Sequence, residues 1–135
     1  MTAEERVDPE TLKGQSNSWY RVIVQRTDFA RVFSKDAIVL DAPCGVGWAS
    51  RQLAQVAEAV YAVDYSSEAI QIANQKYCHA NVRYLQMNVL ALGFMDNSFD
   101  VAVSLEAIEH FDKDDGIKYL AELSRVLRRG GILVG

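Results

Sequence analysis

Short apolar runs that alternate with helix-periodic stretches constrain this chain more than any other feature. The runs are Ala37-Ile-Val-Leu40, Ala59-Val-Tyr-Ala-Val63, Val82-Arg-Tyr-Leu-Gln-Met87, Phe99-Asp-Val-Ala-Val-Ser104 and Ile132-Leu-Val134. Continuous apolar runs such as residues 37–40 suit strands covered on both faces, as in parallel sheets. Between them, residues 18–33, 48–57, 66–78 and 112–127 space their apolar side chains for amphipathic helices. Ser66 suits a helix N-cap, Asn97-Ser98 marks a turn, and Gly130-Gly131 is expected to end the last helix. Strand–helix alternation with short turns implies crossover connections, hence an α/β fold with a doubly wound, mostly parallel sheet. Ligands of such sheets bind beyond the carboxyl ends of the strands. Here those ends carry Asp41, Asp64, Asn88 and Ser104-Leu105-Glu106.

The remaining features narrow the class. A chain of 135 residues makes one domain. Residues 1–17 are polar, contain Pro9 and Gly14, and read as a flexible lead-in to a core spanning 18–135. A net charge of −4 argues against a protein held to nucleic acid by bulk charge. No apolar run is long enough to span a bilayer, and the N-terminus lacks a basic stretch followed by an apolar one. With only Cys44 and Cys78, the chain is no disulfide scaffold, which favours a cytoplasmic setting.

The first turn, Asp41-Ala-Pro-Cys-Gly45-Val-Gly47-Trp-Ala-Ser50, brings two glycines to a strand-to-helix turn, where backbone can approach a ligand closely. Asp64 closes the second strand 19 residues after Gly45, the place of a carboxylate that accepts from ribose hydroxyls. A dinucleotide and S-adenosylmethionine both fit such a half-site. A dinucleotide fingerprint wants a third glycine where Ser50 stands, and Asp41 would repel a pyrophosphate. A ligand carrying an ammonium and a sulfonium suits Asp41 better.

Four ordered segments then resemble one family. Val39-Leu-Asp41-Ala-Pro-Cys-Gly45-Val-Gly47 is similar to motif I of the class I S-adenosylmethionine-dependent methyltransferases, type 11-like. Ala62-Val-Asp64-Tyr-Ser66 resembles the acidic loop that follows it. Residues Leu92–Val101 resemble the family's LPFxDxSFDxV stretch, and Leu123–Gly131 its RVLKPGG turn, with Arg129 in place of the proline. The resemblance implies a Rossmann-like sheet of strand order 3-2-1-4-5, S-adenosylmethionine as cofactor, and methyl transfer. It implies that Gly45 and Gly47 line the methionine portion, with Asp41 near its ammonium. Asp64 would hold the ribose and Tyr65 pack on the adenine. Asn88-Val89, where the family has Asp-Ala or Asp-Val, would contact the adenine amine, and the backbone at Ser104-Leu105 would face the methyl.

Beyond the fourth strand, Glu106, Glu109 and His110 form an E-x-x-E-H spacing. On a helical turn all three would lie near one face. Glu109 and His110 are the candidates for a general base. The same triplet would suit a divalent cation, as in metal-assisted O-methyltransferases of quinone or RNA-end type, although capping is the simpler role. The acidic charge points to a small-molecule or sugar-like acceptor. A non-catalytic cofactor-binding module is the reading from another class. Trp48 is expected in the core, Cys44 is not a nucleophile, and Arg125, Arg128 and Arg129 complement a helix dipole. Relative to the family, the chain stops after the fifth strand and lacks the antiparallel hairpin. The fifth strand is therefore expected to be an apolar edge that a second copy or a partner chain covers.

Overall fold

The computed structural model describes residues 6–14 and 18–135. Its elements run α1 (Ser18–Ser34), β1 (Ile38–Asp41), α2 (Trp48–Ala54), β2 (Ala59–Asp64), α3 (Ser67–Lys76), β3 (Val82–Gln86), β4 (Phe99–Val103), α4 (Lys113–Val126) and β5 (Leu127–Val134). Among the described residues there are also two 3-10 turns, Pro9–Leu12 and Ile108–His110. The five strands pair in parallel in the order β3-β2-β1-β4-β5, as expected for a doubly wound sheet.

The apolar character of β1 follows from this topology. Val39 packs into the core under α1, α2 and α3 with Leu53, Val60, Ala73 and Val101, whereas its neighbour Leu40 packs with Val63, Tyr119, Leu123 and Val126 under α4. Alternate residues of a strand point to opposite faces, so a strand with a helix layer on each side must be apolar at every position. The helix ends follow local chemistry. The Ser66 hydroxyl accepts from the Ala69 amide at 3.1 Å and caps α3, and the Asp112 carboxylate accepts from the Asp115 amide at 2.8 Å and caps α4. Asn97 takes the left-handed conformation that its turn needs.

The end of α4 differs from expectation. The helix stops at Val126, and β5 begins at the next residue rather than after Gly130-Gly131. The carbonyls of Arg125 and Val126 accept from the Asn97 and Ser98 amides, at 3.0 and 2.7 Å, which ends the helix without glycine. Leu127 then pairs with Phe99 while Ile132 pairs with Val101, so residues 128–131 bulge out of the ladder. Gly130 and Gly131 serve that bulge: Gly130 has a φ of +80°, and a Cβ on Gly131 would meet the Arg128 carbonyl oxygen at 2.8 Å. Ile132 and Leu133 of β5 are exposed.

Of the stretch 1–17, residues 1–5 and 15–17 lie outside the described residues. Residues 6–14 lie against the core: the Asp8 carboxylate accepts from the Tyr77 hydroxyl at 2.5 Å and from Lys76 at the end of α3.

Arg125 does more than complement a helix dipole. Its guanidinium donates to the carbonyls of Leu92 and Phe94, at 2.9 and 2.8 Å, and to Asp96 and Glu122. It thereby clamps the loop between β3 and β4. Asp100 explains the SFD part of that segment. Its Oδ2 accepts from the Ile38 amide at 2.8 Å, and its Oδ1 pairs with Arg128. The Ile38 hydrogen bond holds its carboxyl below the usual carboxylate range, and Arg128 adds to the effect against the opposing cost of burial. Asp100→Ala should cost about 1–3 kcal/mol of stability at neutral pH, since the Ile38 amide loses its charged partner. Equilibrium denaturation of the variant checks this.

Candidate functional site

Three strand ends and one turn gather at the carboxyl edge of the sheet. β1 delivers Asp41 and β2 delivers Asp64, both buried. The glycine turn lies between them. Cys44 donates its amide to the Val63 carbonyl at 2.8 Å, and Gly45 donates to Asp64 Oδ2 at 3.0 Å. Asp64 Oδ1 accepts from the Ser66 amide and from Arg6 Nε, each at 3.0 Å. The Asp64 carboxylate therefore joins the glycine turn, the start of α3 and the N-terminal segment.

The two glycines differ in what they are for. Gly45, with a φ of +56°, has nothing within 4 Å of where a Cβ would stand, so the turn leaves open space on that side. Gly47, with a φ of +93°, has none to spare: a Cβ there would lie 2.7 Å from Tyr84 and 2.8 Å from Ala73. Gly47 thus seats the turn on α3 and β3. The Tyr84 hydroxyl, reaching the Tyr77 carbonyl at 2.8 Å and the Gly47 carbonyl at 3.1 Å, holds the turn from beneath.

Asp41 has a partner that sequence reasoning missed. Ser50, in the place of a third glycine, donates its hydroxyl to Asp41 Oδ2 at 2.6 Å, and both residues are buried. Burial pushes the Asp41 carboxyl up, the Ser50 hydrogen bond pulls it down, and the charge of Asp64 adds to the rise, leaving it at about 7. Burial and the same two carboxylates raise the Cys44 thiol well above its ordinary value, so it stays protonated and is no nucleophile. Trp48 is buried in the core as expected, and its indole N–H donates to Glu10 at 3.1 Å.

Tyr119 of α4 was also missed, since at helical spacing it reads as ordinary core. Its hydroxyl lies 2.5 Å from both the Ala42 carbonyl oxygen and Ser104 Oγ. It ties the turn after β1 to the end of β4.

Three cavities follow the strand ends. A small one of about 110 Å³ is lined by Asp41, Gly45, Gly47, Leu105, Arg6 and Glu106, among others. A second, of about 410 Å³, is lined by Asp64, Tyr65, Asn88, Val89, Arg6 and His110, among others. A third, of about 480 Å³, lies beyond β4 against α1, with Gln25, Arg26, Phe29, Leu105, Ile108 and Glu109 in its walls. The eight residues expected at a cofactor thus divide between the first two cavities. Tyr65 is exposed, and the Asn88 side-chain Oδ1 accepts from the Leu90 amide at 2.9 Å.

The acidic segment departs from expectation. Glu106 lies outside the 3-10 turn of residues 108–110, in the left-handed region at φ +53°, and pairs with Arg26. Glu109 lines the cavity beyond β4, whereas His110 lines the one beside Asp64. His110 Nε2 stands 3.7 Å from Glu109 Oε1. The three side chains do not share one helical face, and no group of three metal-ligating side chains gathers among the described residues.

Comparison with known proteins agrees with this architecture. A family model described as a methyltransferase domain matches residues 40–135. The chain belongs to the methyltransferase-domain family. The cofactor of this family is S-adenosylmethionine. The chain is 32% identical over 123 residues to a protein of Mycolicibacterium smegmatis named "Probable S-adenosylmethionine-dependent methyltransferase", covering 89% of this chain and 45% of that one. It is 36% identical over 95 residues to the malonyl-[acyl-carrier protein] O-methyltransferase of Pectobacterium atrosepticum, covering 70% of this chain and 36% of that one. Among solved structures, the PH0226 protein of Pyrococcus horikoshii superposes with a TM-score of 0.80 at 28% identity, over 98% of this chain and 64% of that one. The chain spans less than half the length of the curated relatives it matches. Among the described residues, no helix is long and apolar enough to cross a membrane.

The raised Asp41 carboxyl has a consequence for stability. Between about pH 4 and pH 7 the folded chain keeps a proton on Asp41 that the unfolded chain releases, so this contribution is lost as pH rises through that window. Asp41→Asn keeps the Ser50 hydrogen bond and removes the buried charge. The cofactor-free variant should be more stable than the wild type at pH 8, by on the order of 2 kcal/mol, and the gap should narrow as pH falls and close by about pH 4. Denaturant titrations of both proteins across that range check it.

Proposed function

We propose that this chain binds S-adenosylmethionine across Asp41 and Asp64 and positions a small-molecule acceptor in the cavity beyond β4. The observation that carries the reading is the continuity of the site. Leu105 and Glu106 line both the Asp41 cavity and the acceptor cavity, so the two meet at the end of β4.

The residues present fit the cofactor. The Asp64 carboxylate, an acceptor only, is matched to a ribose diol, and the open side of Gly45 leaves room for the ligand against backbone. Asp41, once ionised, suits the ammonium of the methionine portion. Tyr65, Val89 and Asn88 supply an aromatic face, an apolar wall and a polar edge for the adenine. When bound, the cofactor supplies a methyl group activated by a sulfonium. The chain's own contribution is to hold the acceptor atom in line with that methyl at near-contact distance. Tyr119 serves by holding the Ala42 carbonyl and the Ser104 hydroxyl on either side of the gap.

A cavity of about 480 Å³ falls within the range of small-molecule pockets. Its walls mix the apolar Phe29, Leu105 and Ile108 with the polar Gln25 and Glu109. Glu109 is placed to take a proton from an acceptor there. His110, the other candidate base, lines the neighbouring cavity beside Asp64, with Nε2 3.7 Å from Glu109 Oε1. The net charge of −4 disfavours a polyanionic acceptor. The free thiols of Cys44 and Cys78 suit a cytoplasmic setting. A second copy or a partner chain would pack at the β5 edge, where Ile132 and Leu133 lie exposed beside Leu120.

The test is calorimetric titration with S-adenosylhomocysteine, the demethylated product. The wild type should bind saturably. Asp64→Ala should weaken binding about 10- to 150-fold, the worth of a hydrogen bond to a charged group. Equal affinity of the variant would remove Asp64 from the site.

A further inference from the structure

The Asp64 carboxylate has a side-chain partner in Arg6. Arg6 Nε donates to Asp64 Oδ1 at 3.0 Å, and both side chains are largely withdrawn from solvent, at 14% and 0% exposure. Two further contacts anchor the segment that carries Arg6. Asp8 accepts from Tyr77 at 2.5 Å and pairs with Lys76, both of them at the end of α3. Glu10 accepts from the Trp48 indole at 3.1 Å, at the start of α2. Burial works against the Asp8 charge, yet the hydrogen bonds from Lys76 and Tyr77 outweigh it and hold the carboxyl below its usual range. Asp8 is therefore ionised at neutral pH, as this anchoring requires. Residues 6–12 thus run across the cleft from α3 to α2, with Pro9 buried.

Arg6 also lines both cavities at the strand ends, the one with Asp41 and the one with Asp64. It stands at the boundary between the space expected for the methionine portion and the space expected for the adenosine. A cofactor that spans the two must pass the position of this guanidinium.

We propose that Arg6 competes with the ribose for Asp64, so that residues 6–12 form a strap that must release the carboxylate before the cofactor is held. The proposal rests on the reading of Asp64 as the ribose ligand. Charge explains why the latch exists. Asp41 and Asp64 are two buried carboxylates close enough to influence one another, and an uncompensated buried carboxylate is costly. Arg6 supplies the compensating cation while the cleft holds no ligand, and the hydroxyls of the ribose replace its hydrogen bond afterwards. A protein whose competent state is only partly populated binds with an affinity reduced by that fraction. The strap therefore sets the apparent affinity and the association rate, not the chemistry.

The experiment measures S-adenosylhomocysteine binding to the whole chain by calorimetry and stopped flow, for wild type, Arg6→Ala, Arg6→Lys, Asp8→Asn and Asp64→Ala. Removing the latch should tighten binding about tenfold in Arg6→Ala, mostly through faster association. Arg6→Lys keeps the charge and should return most of the way to wild type. Asp8→Asn loosens the strap at a different anchor and should shift affinity in the same direction by a smaller factor. It keeps the test decisive if Arg6→Ala is poorly folded. Unchanged or weaker binding by both Arg6→Ala and Asp8→Asn, with Asp64→Ala still impaired, would overturn the latch and leave the ribose reading intact. No loss in Asp64→Ala would overturn both.

Discussion

One buried carboxylate holds this site together. Asp64 sits at the end of β2 without solvent exposure and accepts three hydrogen bonds, from Gly45, Ser66 and Arg6. Each donor belongs to a different part of the chain. The Gly45 amide fixes the turn between β1 and α2, the Ser66 amide fixes the turn into α3, and Arg6 fixes the N-terminal segment. A buried charge without such donors would be strongly destabilising, so the chain around Asp64 must supply them. β2 can present the carboxylate this way because β1 and β3 flank it in parallel. The Met87 amide donates to the Asp64 carbonyl at 2.9 Å, so the ladder to β3 reaches the residue itself.

The second carboxylate shows the opposite economy. Asp41 has a single side-chain donor, Ser50, and its carboxyl rises to about 7. The Asp41 carboxyl is therefore easily protonated near neutral pH, beside the three-fold hydrogen-bonded Asp64. A ligand with an ammonium group relieves Asp41, and one with vicinal hydroxyls satisfies Asp64. Around the pair, Tyr84 from below and Tyr119 from the α4 side keep the turns in register, each through a hydroxyl at a backbone carbonyl. Burial raises both phenols, so they remain donors at any ordinary pH.

Much of this was legible in the residues. The parallel sheet and the polar strand ends followed from continuous apolar runs broken by helical spacing, because a strand between two helix layers has no face left for polar side chains, whereas the strand order came from the family resemblance. Asp41 and Asp64 were found because nothing else ends an apolar run so abruptly. The parts that were not legible depend on contacts distant in sequence. Ser50 reads as a poor substitute for glycine until it is seen beneath Asp41. Tyr119 looks like core packing, since only its hydroxyl betrays another role. Arg125 looked like a dipole cation because its partners, Leu92, Phe94 and Asp96, lie on a different element. Glu106, Glu109 and His110 were grouped by helical arithmetic that their short 3-10 turn does not obey. The start of β5 was misplaced because the glycines belong to a bulge rather than to a helix end.

The central claim is that Asp64 couples the glycine turn, α3 and the cofactor. Amide chemical shifts followed during titration with S-adenosylhomocysteine test it most directly. The Gly45 and Ser66 amides, both bonded to Asp64, should move together and saturate with one dissociation constant. The Ile38 amide, bonded to Asp100 at the other end of β1, should stay in place. Shifts that leave Gly45 and Ser66 unmoved while others saturate would contradict the account.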